Sequence, residues 1–141
     1  MKQIDRSSPI WGEEKMTGWI LIFDEDVQTR LDIARAFARH GFVIIETVNV
    51  ADVFECADRL ELACVFVPAD SPEGNGIVLL RLLREAHPDL PVVLVADQFP
   101  RGLARDAARH GARGCLRRPV SGAVIEGFVT ELCASPAPAV L

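Results

Sequence analysis

The residues with chemistry to offer are few, and they follow the ends of apolar runs. "WILIF" (19–23) leads into Asp24, Glu25 and Asp26, and "LACVFV" (62–67) into Pro68, Ala69 and Asp70. "VVLVA" (92–96) closes on Ala96 before Asp97, and "RGCLR" (113–117) runs into Arg118. Asp24 and Glu25 are hard oxygen donors, suited in kind to Mg²⁺ or Ca²⁺ but too few for a dedicated cage. Carboxylates gathered in one place repel one another unless a cation sits among them. Arg118 can be that cation, because a guanidinium stays charged and forks onto carboxylates as an ammonium cannot. Two readings of Arg118 follow. It pairs with Asp24 or Glu25 and holds the pocket in one fixed state, or it points to solvent.

Other chemistry is thin. Ser71 and Ser121 have no His and acid at a recognisable spacing, which argues against a hydrolase. "GNG" (74–76) is too short to cradle a phosphate, and its glycines read as turn formers. Cys56, Cys64, Cys115 and Cys133 form no CxxC pair, and Cys64 and Cys115 sit in apolar runs where a thiol is a small hydrophobe. His40, His87 and His110 each precede Gly or Pro at an expected helix end, which suggests capping. No enzymatic activity is expected.

The elements that position these residues alternate regularly. Asp26 can cap a helix with Leu31, Ala34, Phe37 and Ala38 inward, stopped by Gly41. "FVIIETV" (42–48) is a strand, followed by a short helix over 51–60 with Val53, Ala57 and Leu60 inward. After the 62–67 strand and a Gly-rich turn comes an apolar helix over 77–86, and after the 92–96 strand a helix over about 101–110. Ser121 can cap a last helix reaching about Cys133. Continuous apolar strands alternating with helices imply a parallel sheet covered on both faces. The expected fold is therefore α/β: a doubly wound, five-stranded parallel sheet of flavodoxin-like order 2-1-3-4-5, with its crevice at the carboxyl ends of the strands.

With 141 residues, half of them apolar, the chain suits one domain with a real core. Residues 1–17 are expected to be a flexible extension, 18–133 the domain and 134–141 a short tail. A net charge of −5 with mixed signs argues against nucleic acid as a partner. No apolar run approaches the roughly 20 residues of a membrane span. The polar start lacks an apolar signal region, so a cytoplasmic location is expected.

Between Trp19 and Cys133 the chain resembles the receiver domains of bacterial two-component response regulators. "ILIFDED" resembles the family's opening strand with its acidic pair, here Asp24 and Glu25. "SPEGNG", "LPVVLVA" and "GARGCLRRP" resemble the loop after the phosphorylation site, the fourth strand and the fifth strand. In that family a carboxylate ending strand three accepts a phosphoryl group, the acidic pair helps hold Mg²⁺, a Thr or Ser follows strand four, and a Lys follows strand five. The resemblance puts Pro68 at the acceptor position, Ala96 at the Thr or Ser position and Arg118 at the Lys position, and sets Cys115 where an aromatic switch residue is usual. The group that would form the covalent bond is absent. Asp70 lies two residues further along, about 6–7 Å in extended chain, whereas reacting groups must be placed within about 0.5 Å.

These residues suggest a stand-alone pseudo-receiver in a two-component or phosphorelay pathway, acting by protein contact without phosphorylation. Its partner would be a histidine kinase, a phosphotransfer protein or an effector. The alternatives are a response regulator using Asp70 as displaced phosphoacceptor and a small-molecule binder in the vestigial crevice. Mg²⁺ binding is expected to be weak or absent. Arg101, Arg105 and Arg109 recur every four residues, and Arg113 and Arg117 extend the basic character past them. With Cys115 they form either a solvated face or a docking surface. The resemblance makes this the face through which receivers commonly engage partners, and a homodimer through helix four to helix five is a further possibility it implies.

Overall fold

The computed structural model describes residues 18–70 and 76–134. The ordered elements alternate strand and helix: β1 (Trp19–Phe23), α1 (Val27–Ala38), β2 (Val43–Thr47), α2 (Val50–Arg59), β3 (Leu62–Pro68), α3 (Gly76–Ala86), β4 (Val92–Ala96), α4 (Leu103–Arg109), β5 (Gly114–Arg117) and α5 (Gly122–Ala134). All strand pairs are parallel, in the order β2-β1-β3-β4-β5. The expected flavodoxin-like sheet is the one found. The expected extension over 1–17, Ser71, Pro72 and most of the expected tail lie outside the described residues.

Successive strand residues point to opposite faces, so each apolar run feeds two cores. Ile20, Ile22, Phe66, Val93 and Val95 pack under α1 and α5 with Ile33, Phe37 and Ile125. Leu21, Val65, Val67 and Leu94 pack under α2, α3 and α4 with Val53, Leu80, Leu83 and Ala107. Phe37 meets Phe42 and Phe66 edge-on, with ring centroids 5.4 and 5.6 Å apart. β1, β3 and β4 are buried almost throughout, which fixes the ends of the central strands against one another. Among the described residues, no helix is long and apolar enough to cross a membrane.

Several expectations need correction. α1 buries Thr29, Ile33, Ala36 and Phe37, whereas Leu31 is 38% exposed and Ala38 is exposed. Thr29 can go inside because its hydroxyl donates to the capping carboxylate of Asp26 at 2.6 Å. α4 starts at Leu103, two residues later than expected, because Gly102 adopts a φ of +91 and Arg101 stands in the preceding turn. His40 and His87 do more than end helices: their Nε2 atoms reach Glu126 on α5 and Asp58 on α2, each at 3.0 Å. β3 runs one residue further than expected, through Pro68. Proline is tolerated there because it is the final strand residue, and the next N–H, on Ala69, donates to Val95 O at 2.8 Å.

Candidate functional site

At the carboxyl ends of β1, β3, β4 and β5 an open cleft of ≈ 220 Å³ is lined by Asp24, Glu25, Asp26, Pro68, Asp70, Asp97 and Arg118. Parallel strands deliver these residues together because each lies at or just past the end of its own strand. Pro68 stands opposite Val95, and Ala96 opposite Arg117. Arg118 N–H donates to Ala96 O at 2.9 Å, so its side chain starts from a fixed backbone. The peptide bond that follows it, Arg118–Pro119, is cis.

Arg118 fills the middle of the cleft. Its Nη2 donates to Asp24 Oδ2 at 2.8 Å, and its Nη1 lies 3.3 Å from both Asp70 Oδ1 and Asp97 Oδ1. The guanidinium side chain is 13% exposed and the Asp24 side chain 3%, whereas Asp70 and Asp97 are 45% and 74% exposed. The Arg118–Asp24 pair is therefore shielded from water, and the other two carboxylates stand at the mouth. Burial works against the charge on Arg118, but the hydrogen bond and charge of Asp24, joined by Asp70, outweigh it and raise its pKa above the ordinary value. Its Nε is buried without a hydrogen-bond partner among the described residues.

Of the two acids offered to Arg118, the structure selects Asp24. Glu25 is exposed and stays on the rim. The contact with Asp70 arises because the chain after β3 turns its carboxylate back over the cleft, where Asp70 Oδ2 also accepts the N–H of Asp97 at 3.3 Å. Arg30 is a further member that the spacing of the motifs did not bring out. From α1 it donates to Asp24 O at 2.6 Å and to Glu46 Oε1 at 3.0 Å, bracing the loop behind the buried acid. The available signal was its place one turn past the Asp26 cap. Asp26 does cap α1, accepting from Thr29 N at 2.9 Å. Thr29's side-chain and backbone hydrogen bonds hold the Asp26 carboxyl below its usual range.

The residues present do not fit the Mg²⁺ of a receiver pocket. Both Asp24 oxygens are engaged, Oδ1 by Asp26 N–H at 2.9 Å and Oδ2 by Arg118. A guanidinium stands among the carboxylates that a divalent ion would need, and Pro68 adds no oxygen donor from its side chain. Among the described residues no three acidic, His or Cys side chains gather in a way that could hold a metal. Neither Cys64, whose thiol is pushed up to about 12 by burial, nor Cys115, raised by the same cause, is poised as a nucleophile. Ala96 offers no hydroxyl.

The arginines expected on a basic face reach the surface, although Arg101 stands in the turn before α4 and not on the helix. Arg101, Arg105, Arg109, Arg113 and Arg117 are all exposed, with Cys115 half-buried between the last two. Arg109 lies 3.5 Å from Asp106. None of these side chains lines the cleft.

Residues 20–129 match the family model of the response regulator receiver domain, and the chain belongs to that family. It is 27% identical over 133 residues to the sensor kinase CckA of Brucella abortus, covering 93% of this chain and 14% of that protein. It is 29% identical over 122 residues to the transcriptional regulator NtrC of Rhizobium meliloti, covering 86% of this chain and 25% of that one. The chain thus spans a quarter or less of these two relatives. Its fold is similar to a response regulator from Thermotoga maritima (TM-score 0.77, 24% identity, covering 85% of this chain and 100% of that one). A CheY-like receiver domain protein from Methanospirillum hungatei is similar too (TM-score 0.76, 14% identity, covering 85% and 96%).

Proposed function

We propose that this receiver domain is a pseudo-receiver: it signals by binding another protein of a two-component pathway, without forming a phosphoryl-aspartate. The observation that carries this reading is the position of Arg118. Its guanidinium sits 2.8 Å from Asp24 and 3.3 Å from Asp70, in a cleft whose β3 strand ends on Pro68. An internal cation takes up the negative charge that a metal ion and a phosphoryl group would otherwise organise. The pocket then has one arrangement, and no reaction is needed to reach it. Ala96 supports the same reading, because no hydroxyl meets a phosphoryl oxygen there. A histidine kinase, a phosphotransfer protein or an effector is the proposed partner class, and the exposed arginines of α4 and β5 are the proposed contact.

A small-molecule role is less well supported. Ligand pockets run to about 300–1,000 Å³ and are mostly apolar, whereas this cleft is ≈ 220 Å³, open and lined by charge. The test is intact mass after incubation with acetyl phosphate and Mg²⁺, alongside Asp70→Asn. No adduct on folded wild type is expected. A phosphate adduct on wild type that Asp70→Asn abolishes would instead make Asp70 the acceptor.

A further inference from the structure

At the other end of the sheet, a groove runs between the C-terminal ends of α3 and α4. Two adjoining hollows of ≈ 340 and ≈ 320 Å³ share Arg84, Pro88 and Gly111. Their cationic walls are Arg81 and Arg84 from α3, Arg109 from the end of α4, and Arg113 just before β5, with His110 beside Arg109. Glu85 and Asp89 also border them. Among the described residues, Arg81, Arg84 and Arg113 form no salt bridge, and Arg109 has only Asp106 at 3.5 Å.

The groove is built around Arg84. Its Nη1 donates to Leu90 O at 3.0 Å, which ties the side chain across the floor. Gly111, at a φ of +92, passes so close that a Cβ there would lie 2.7 Å from Arg84 Nε. Residues 78, 81, 82 and 85 share one face of α3 by helical spacing. On it Val78 is 39% and Leu82 43% exposed, so an apolar strip borders the arginines.

We propose that this groove binds an acidic segment of a partner protein in which apolar residues are interleaved with carboxylates. The carboxylates would fork onto Arg81, Arg84, Arg109 and Arg113, and the apolar residues would cover Val78 and Leu82. Charge complementarity selects the occupant. Guanidiniums gathered without partners repel one another, and an acidic segment relieves that. Nucleic acid fits worse, because the whole chain carries −5 and phosphate backbone has no use for an apolar strip. The proposal deepens the partner contact proposed above, with which it shares Arg109, but does not rest on the loss of phosphorylation, since the groove stands whether or not the cleft can be phosphorylated.

The experiment titrates the full ¹⁵N-labelled chain with a synthetic peptide of repeated Glu-Glu-Leu units and follows amide shifts. Shifts should cluster over residues 78–91 and 109–113, and affinity should fall with added salt. The double variant Arg81→Glu/Arg109→Glu should weaken binding about tenfold or more. Arg35→Glu, an exposed charge on α1, should leave it nearly unchanged. Arg81→Ala/Arg109→Ala, which adds no acidic charge, should fall between the two. No binding, shifts centred elsewhere, or equal weakening by Arg35→Glu would overturn the assignment. Displacement of the peptide by a single-stranded oligonucleotide of equal charge at lower concentration would also overturn it, in favour of nucleic acid.

Discussion

The two ends of the sheet use arginine in opposite ways. In the cleft, Arg118 is almost covered and has Asp24, Asp70 and Asp97 around it. In the groove between α3 and α4, Arg81 and Arg113 are exposed, and Arg84 is tied only to a backbone carbonyl. A covered charge held by carboxylates at both Nη atoms stabilises one arrangement and has little left for a ligand. Exposed charges without partners contribute little to folding and remain available. The cleft's guanidinium is thus taken up by neighbouring carboxylates, whereas among the described residues Arg81, Arg84 and Arg113 at the opposite end form no salt bridge.

The contrast between the two ends of the sheet is sharpest at Arg118. Arg118→Ala would leave Asp24 buried and without its cation, and removing one partner of such a pair costs about 3 kcal/mol. Arg81→Ala should change stability by less than about 0.5 kcal/mol, as exposed substitutions usually do. Urea unfolding of both variants measures the contrast. Asp24→Asn together with Arg118→Ala should recover much of the loss, because no uncompensated charge is left. Equal stability of Arg118→Ala and wild type would mean that the cleft is not held by this pair.

Gly76 gives the next largest effect. A Cβ there would sit 2.5 Å from Ala69 Cα and 2.6 Å from Pro68 O, so the start of α3 is packed directly on the end of β3. Gly76→Ala must push these backbones apart, at a cost of about 2 kcal/mol. Thermal unfolding checks this. The same variant should disturb the cleft, since Asp70 follows Ala69, whereas amide shifts in the groove should hardly move.

Much of this architecture was legible because the strands are continuous apolar runs and the turns carry Gly, Pro and Asp. The site was legible in part. That Pro68, Ala96 and Arg118 end neighbouring strands follows from sheet order, and the pairing of Arg118 with an acid follows from its charge. That the acid is Asp24 and not Glu25 depends on which of two successive side chains points into the sheet end. The approach of Asp70 depends on how the chain bends after β3, which no periodicity encodes. Leu31 misled because a Leu on a helix reads as core, while the smaller Thr29 satisfies its hydroxyl at the cap and takes the inside position. The groove was missed for a related reason. Its arginines come from α3, α4 and the approach to β5, and only folding brings them together.

A smaller loss lies at the rim of the cleft, where Asp26 caps α1 through Thr29 N and Oγ at 2.9 and 2.6 Å. Asp26→Ala should cost about 1 kcal/mol, less than Arg118→Ala or Gly76→Ala. These hydrogen bonds favour the charged carboxylate and lower its folded pKa, so the cap contributes fully above the unfolded value of about 3.9. The contribution is lost as pH falls through the lower folded value. Asp26→Asn keeps an oxygen acceptor but cannot titrate. Its stability relative to wild type should therefore be lower at neutral pH, and the gap should narrow on acidification below about pH 4. Chemical unfolding at a series of pH values measures that gap. A gap independent of pH would mean that the cap acts by geometry alone.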